Sequence, residues 1–336
     1  MLGRLEDNGG DTLTHALLPG SPAIDAIPAV SCTLPTDQRG ALRPAVQTSA
    51  ETPCDIGAFE VQPEASAEAS PPTESLPQMV PVPAGPFPMG SGEGRLDERP
   101  VHTVTVDAFA IDAREVTNAD FADFLNDRGN REEGGETWLD VDDEDCLIKK
   151  RGAKFVPQAG LEDHPVIEVT WYGARAYCEW RGKMVGGLLR LPTEAEWEKA
   201  ASWDPATGAK RVYPWGDAWD SSLVNADWPI TATTELKPHP APVGSYAEGA
   251  SPCGALHMAG NVWEWVADWY AGDYYSRSPS QNPQGPDAGE DKVVRGGSWR
   301  SPSDFARTTV RHHWYPDYTF DIGFRCARSA DGEGGP

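Results

Sequence analysis

Helical periodicity is confined to three short stretches of this chain, and 34 Gly, 31 Pro and 13 Trp crowd the remainder. A helical bundle is therefore excluded, and the expectation is an α+β fold of low regular secondary structure in which aromatic side chains anchor irregular segments. The first stretch follows Asn118, a candidate cap, with Phe121, Phe124 and Leu125 at helical spacing. The second, TWYGARAYCEWRG, places Trp171, Ala174, Tyr177 and Cys178 on one stripe and should stop at Gly182. The third opens on a capping box, Thr193 with Glu196, after Pro192. Ahead of them, VHTVTVDAF (101–109) alternates as a half-buried strand does, with His102, Val104, Val106 and Ala108 on one face. Beyond residue 205 the pattern is loops and short strands.

A formal charge of -24 repels phosphate backbones and anionic membranes, so nucleic acid is not an expected partner and divalent cations are. No run of about 18 apolar residues suggests a membrane span. The start MLGRLEDNGGDTLTH lacks the basic and apolar regions of a signal peptide. Six cysteines without a CxxC pair point the other way, to an oxidising compartment.

The N-terminal residues reconcile these signals. Asp7-Asn8-Gly9-Gly10, HALLPGSPAIDA (15–26), DQRG (37–40) and CDIGAFE (54–60) resemble the closing coils of secreted right-handed parallel β-helix proteins of bacteria. Residues 1–60 then read as the C-terminal end of such a solenoid, whose rungs need neighbours to stack on. On that reading Met1 is an internal or mis-called start, and the product is secreted or cell-surface as part of a longer exported protein. Cys32 and Cys54 flank this cap and are expected to pair, the alternative being two free buried thiols. Residues 61–78, VQPEASAEASPPTESLPQ, form an acidic Pro/Glu/Ser/Ala linker that cannot bury enough apolar surface to fold. No internal repeat is visible afterwards, so 79–329 is one domain, with 330–336 a disordered tail.

Within that domain several strings occur in one order: MGSG (89–92), EVTNADFADFL (115–125), HPVIEVTWYGARAYCEW (164–180), RLPTEAEWEKAA (190–201), YPWGD (213–217), PVGSY (242–246), GNVWEWVADWY (260–270), RGGSW (295–299) and IGFRCAR (322–328). This order resembles the formylglycine-generating-enzyme, or sulfatase-modifying factor, family across essentially all of 79–329. The resemblance implies a C-type-lectin-like fold, calcium as a structural ion and export. It also implies a disulfide between Cys178 and Cys326, stabilising by roughly 4 to 5 kcal/mol in the chain-entropy model. Cys146 and Cys253 could pair with each other or remain free. Ala201 stands where a second family disulfide would place a cysteine.

In Gly260-Asn261-Val262-Trp263-Glu264-Trp265, Glu264 shares a strand face with Val262 while both Trp point opposite. A carboxylate amid irregular backbone carbonyls suits a hard cation. By resemblance, one calcium would be held by the Gly260 and Val262 carbonyls, Glu264 and position 257, here His257, whose ring is a poor calcium ligand. A second would map to Asn225, Ala226, Glu235 and the Lys237 carbonyl. The alternative is that Glu264 and Asn225 are hydrogen-bonded loop staples.

Catalysis is where the chain departs from the family. Active members carry two cysteines after RGGS that bind copper, and here those positions are Ser301 and Ala306. A hydroxyl and a methyl do not replace two thiolates on a cuprous ion, so no catalytic residue and no copper are expected. Relatives that are iron-dependent sulfoxide synthases use a three-histidine site from an additional domain; His312-His313 lacks that spacing. GKMVGGLLRLP (182–192) is Gly-rich without being a phosphate loop, and MVGGLL in it resembles an insertion.

Residues 295–328 hold six Arg against three Asp together with seven aromatic residues, the types enriched at recognition hot spots. Phe324 and Arg325 read as core. Trp299, Arg300, Arg307, Arg311, His312 and Trp314 are candidates for a binding surface, joined by Trp263 and Ser298, which by resemblance line the substrate groove. The same segment is the display surface of retroelement-diversified lectin-fold proteins, which this chain also resembles. The leading expectation is a calcium-stabilised module that binds a peptide, glycan or protein. The competitors are an oxidase of formylglycine-generating or siderophore-maturation type acting through unconventional residues, and a structural cap on the β-helix.

Overall fold

The computed structural model describes residues 2–6, 14–17, 78–226 and 240–330, and the chain divides into two units, 1–75 and 76–336. In the first, β1 (Leu2–Glu6) pairs antiparallel with β2 (Thr14–Leu17). The rest of the segment expected to end a β-helix, the expected Cys32–Cys54 pairing, residues 61–77 of the linker, Glu235 and Lys237 lie outside the described residues.

The second unit opens with β3 (Met79–Val82), β4 (Gly85–Met89), β5 (His102–Val106) and β6 (Phe109–Asp112). In β5 the expected alternation holds, with Val104 and Val106 buried and Thr103 exposed. Helix α1 (Asn118–Arg128) is capped by Thr117 rather than Asn118. The Thr117 hydroxyl accepts from the Asp120 amide while Asp120 answers the Thr117 amide, two orphan N–H groups satisfied reciprocally. Asn118, inside the first turn, instead donates its amide to the Leu161 carbonyl.

Four short strands follow, β7 (Glu132–Glu133) with β8 (Glu136–Thr137) and β9 (Ile148–Arg151) with β10 (Lys154–Pro157). Helix α2 (Trp171–Met184), capped by Thr170, runs two residues past Gly182. That glycine serves close packing rather than termination, since a Cβ there would lie 2.7 Å from the Leu189 amide nitrogen. From Met184, the exposed last residue of α2, the chain runs into a surface loop that exposes Leu188. Helix α3 (Glu194–Ser202) keeps the predicted capping box and is buried along its whole length. Among the described residues no α-helix follows it.

After β11 (Trp203–Asp204) and β12 (Ala209–Lys210) come β13 (Trp263–Trp269), β14 (Lys292–Arg295), β15 (His312–Trp314), β16 (Ile322–Phe324) and β17 (Ala327–Ser329). The main sheet has the order β15-β14-β13-β16, antiparallel except for the β13–β16 pair, and β17-β6-β3 forms a second sheet. In the parallel pair Glu264 faces Gly323. Arg325, two residues on, therefore shares the strand face of Glu264. One apolar core joins Phe121, Phe124 and Tyr177 to Trp265 and Phe324, and another packs Trp197 against β4, β5 and β6. Cys178 and Cys326 are bonded, tying α2 to the strand pair that ends the domain.

Candidate functional site

Of the expected calcium ligands, Glu264 has a setting that the sequence did not show. Its carboxylate is fully buried and already carries three nitrogen donors. Arg325 gives Nη2 to Oε1 at 2.6 Å and Nε to Oε2 at 2.8 Å, and the Trp197 indole donates to Oε2 at 2.8 Å. A charge-assisted fork of this kind is among the stronger polar contacts available to a side chain.

Beside it lies Glu115, which the sequence reading passed over. Its Oε1 accepts from the Asn261 amide at 2.9 Å, while Oε2 is buried with no hydrogen-bond partner. Burial, with repulsion from Glu264 and against the pull of Arg325, pushes its pKa up to about 8. Two buried carboxylates thus share one guanidinium, and the bare oxygen is the kind of group a hard cation satisfies. The geometry therefore fits an ion held through Glu115 better than through Glu264.

His257, at φ 54°, is buried, and burial with the nearby Arg325 charge drives its ring down to about 3. The ring donates to the Pro242 carbonyl, and Nε2 is left without a partner. Asn225 is engaged with the same loop. Its carbonyl accepts from the Asn261 amide nitrogen at 2.8 Å and its side chain bonds Asn261 Oδ1 at 3.0 Å. Gly260 permits this approach, because a Cβ there would stand 2.5 Å from the Asn225 oxygen. Ala226 is half-buried nearby. Among the described residues, no three His, Cys, Asp or Glu side chains are gathered in a ready metal set.

The expected binding residues separate into interior and surface groups. Arg311 is interior: its guanidinium grips Glu194 at 2.7 and 2.9 Å, donates to the Asp97 and Ala271 carbonyls, and lies 4.2 Å above the Tyr275 ring. Trp299 is also buried, in a cluster with Leu147, Ile167 and Val262. Arg307 is clamped to Glu98 at 2.8 and 2.9 Å. Burial takes Arg311 and Trp299 out of any ligand surface, whereas Arg307 is partly exposed. Arginine and tryptophan composition does not reveal whether a partner waits inside the fold.

A surface row does remain. Trp263, expected at the binding surface, is instead buried beneath the row; it meets Phe305 edge-on at 5.9 Å and His312 at 5.3 Å, His312 lies 5.3 Å from Trp314, and Trp314 stacks on Tyr318 at 4.2 Å. Phe305, His312, Trp314 and Tyr318 are each partly exposed. Arg95 covers Phe305 at 4.0 Å, and Arg300 lies over Phe320 while pairing with Asp145 at 3.3 Å. Phe305 and Tyr318 were legible only as part of an aromatic-rich segment.

Ser301 and Ala306 complete the picture. Ser301 Oγ accepts from the Ser298 amide at 3.0 Å and lies 3.2 Å from Ser298 Oγ, which in turn bonds the buried Asp321 carboxylate. Ala306 is buried near Val224 and Ala259. Cys146 and Cys253 are both free, their thiols directed at the Ile148 and Ala200 carbonyls, which settles the open question of their pairing.

Residues 64–330 match the sulfatase-modifying factor enzyme 1-like domain. The chain belongs to that family. As a sulfatase-modifying factor domain it is similar to the formylglycine-generating enzyme of Streptomyces coelicolor, at 37% identity over 80% of this chain and 95% of that protein. It is 40% identical to the serine/threonine-protein kinase pkn1 of Chlamydia pneumoniae over 79% of this chain, but spans only 40% of that protein's length. Among solved structures, PvdO from Pseudomonas aeruginosa matches with a TM-score of 0.56 and 27% identity, covering 75% of this chain and 94% of its own. Mixed sheets with little helix are thus how this sulfatase-modifying factor domain is built. No described helix is long and apolar enough to cross a membrane.

Proposed function

We propose that this sulfatase-modifying factor domain is an exported recognition module that binds a peptide, glycan or protein and does not generate formylglycine. The observation that carries the reading is the pairing of a partly exposed row of rings, Phe305, His312, Trp314 and Tyr318, with a hydrogen-bonded serine and a buried alanine at Ser301 and Ala306. Rings presented edge and face supply contact area at low entropic cost, whereas a hydroxyl and a methyl offer a cuprous ion no soft donor. Calcium serves a structural role in this proposal. The residues that would hold it are Glu115 and the Gly260 and Val262 carbonyls, with His257 neutral beside them, and the ion would satisfy the bare Glu115 oxygen. The Cys178–Cys326 bond supports an oxidising destination.

The test has two arms. With copper, reductant and oxygen, a peptide containing Cys-x-Pro-x-Arg is expected to leave the reaction with its cysteine intact by mass spectrometry; aldehyde formation that is lost in a Ser301→Ala variant would refute the proposal. On a glycan array and a peptide library, Trp314→Ala is expected to lose retained ligands at least tenfold while melting within a few degrees of the wild type. Retention unchanged in that variant removes the ring row from the binding surface.

A further inference from the structure

A second cluster, unrelated to Glu115 and Glu264, lies at residues 140–145. Asp140, Asp142, Asp143, Glu144 and Asp145 occupy five of six consecutive positions in DVDDED. Acid-rich loops are usually solvated faces, so the charge run alone points to nothing. What distinguishes this one is the side chain beneath it. Glu168 is 2% exposed, and its Oε1 is buried with no hydrogen-bond partner. Its carboxylate does receive a bond from Thr319, and repulsion from Asp143, Asp140 and Asp145 converges on it. The backbone fixes the arrangement: the Asp140 amide donates to the Glu168 carbonyl at 2.9 Å, Leu139 bridges Val169, and the Glu168 amide donates to the Phe320 carbonyl at 3.0 Å.

An unpaired buried carboxylate oxygen facing further carboxylates is costly twice over, through lost hydration and through like-charge repulsion. Two nearby cations do not reach the bare Glu168 oxygen. Lys149 donates to the Asp143 carbonyl at 2.7 Å, and Arg300 pairs with Asp145 at 3.3 Å. We propose that Glu168 and the Asp140–Asp145 loop form a binding site for a hard divalent cation, calcium in preference to a transition metal. The donors are carboxylate and carbonyl oxygens, and the one sulfur nearby, Cys146, directs its thiol to the Ile148 carbonyl at 3.2 Å. Among the described residues no three carboxylates are yet gathered around one point, so Asp143 turns inward on binding and backbone carbonyls and water fill the shell. Binding at this place stiffens the segment that positions Arg300 and Phe320 next to the ring row.

The experiment is equilibrium dialysis of the full chain, stripped with chelator, against calcium at about 1 mM, the range of extracellular modules, with bound ion counted by atomic emission. Glu168→Gln and Asp143→Asn are each expected to bind one ion fewer than the wild type. Glu115→Gln reports on the other centre: it loses a separate ion, and Glu115→Gln with Asp143→Asn loses both. Should Glu168→Gln fail to fold, Asp143→Asn on the surface loop decides. Wild-type stoichiometry in Asp143→Asn and in folded Glu168→Gln overturns this site, and does so whether or not Glu115→Gln changes the count.

Discussion

At the scale of single residues, the domain is held by charges that its composition advertises only as surface. Glu194 receives Arg311 and Arg295, and Glu198 receives Arg295 and Lys210, all within one buried network. Removing one partner leaves an uncompensated buried charge, so Arg311→Ala is expected to destabilise the domain by about 3 to 5 kcal/mol. Urea unfolding checks this, and a change below about 1 kcal/mol would return Arg311 to the surface. Glu198 gives the network its pH dependence. Burial opposes its ionisation, but Lys210 and Arg295 outweigh burial and hold its pKa at about 2, below the usual 4.5. A carboxylate depressed on folding contributes stability in full above pH 4.5, and that contribution is lost as pH falls through 2. The urea midpoint should therefore drop across this acid window, and drop less steeply in Glu198→Gln. The residue types were legible in the sequence. Their pairing was not, because Glu98 with Arg307 or Glu264 with Arg325 depends on chain paths separated by hundreds or tens of positions.

At the scale of elements, what could be read was whatever repeats locally. The stripe of α2, the alternation of β5 and the Thr193 box each appear where their spacing placed them, because each obeys a rule that acts within a few residues. The α1 cap shows the limit of that rule: Thr117 and Asn118 are both good caps, and the contact to Leu161, 43 residues away, selects between them. The parallel β13–β16 pairing had no local signal at all. β14 is buried at every position, so it lacks the alternation that identifies a half-buried strand. Strand alternation placed Glu264 on a face but could not tell that Arg325 occupies the same face. Element-level logic yields its own prediction at α3, whose box also recruits Arg190 to Glu196 at 2.6 and 2.7 Å. Thr193→Ala removes an N-cap from a buried helix and is expected to cost about 1 kcal/mol. Thr193→Ser, which keeps the acceptor, should recover most of it in the same thermal melt.

At the scale of the whole domain, the few helices and short strands leave most of the backbone in connections, and the fold depends on ties between distant segments. The Cys178–Cys326 bond is the longest covalent one described, closing a separation of 148 residues. In the chain-entropy model a loop of that length removes about 5 kcal/mol of freedom from the unfolded state. Domains of ordinary stability hold about 5 to 15 kcal/mol in total, so loss of this one bond is expected to bring the domain close to its unfolding threshold. Both sulfurs lie in the core beside Tyr177 and Phe324, where substitution also disturbs packing. Reduction and substitution should therefore be compared: chelator-treated protein with and without reductant, and a Cys178→Ala, Cys326→Ala variant, each unfolded in urea. The oxidised wild type is expected to have the highest midpoint, with the reduced protein and the variant both several kcal/mol lower and close to each other. A reduced protein as stable as the oxidised one would mean that the buried charge network alone closes the domain. A variant far below the reduced protein would mean that the cysteines act through packing, and that the covalent link adds little.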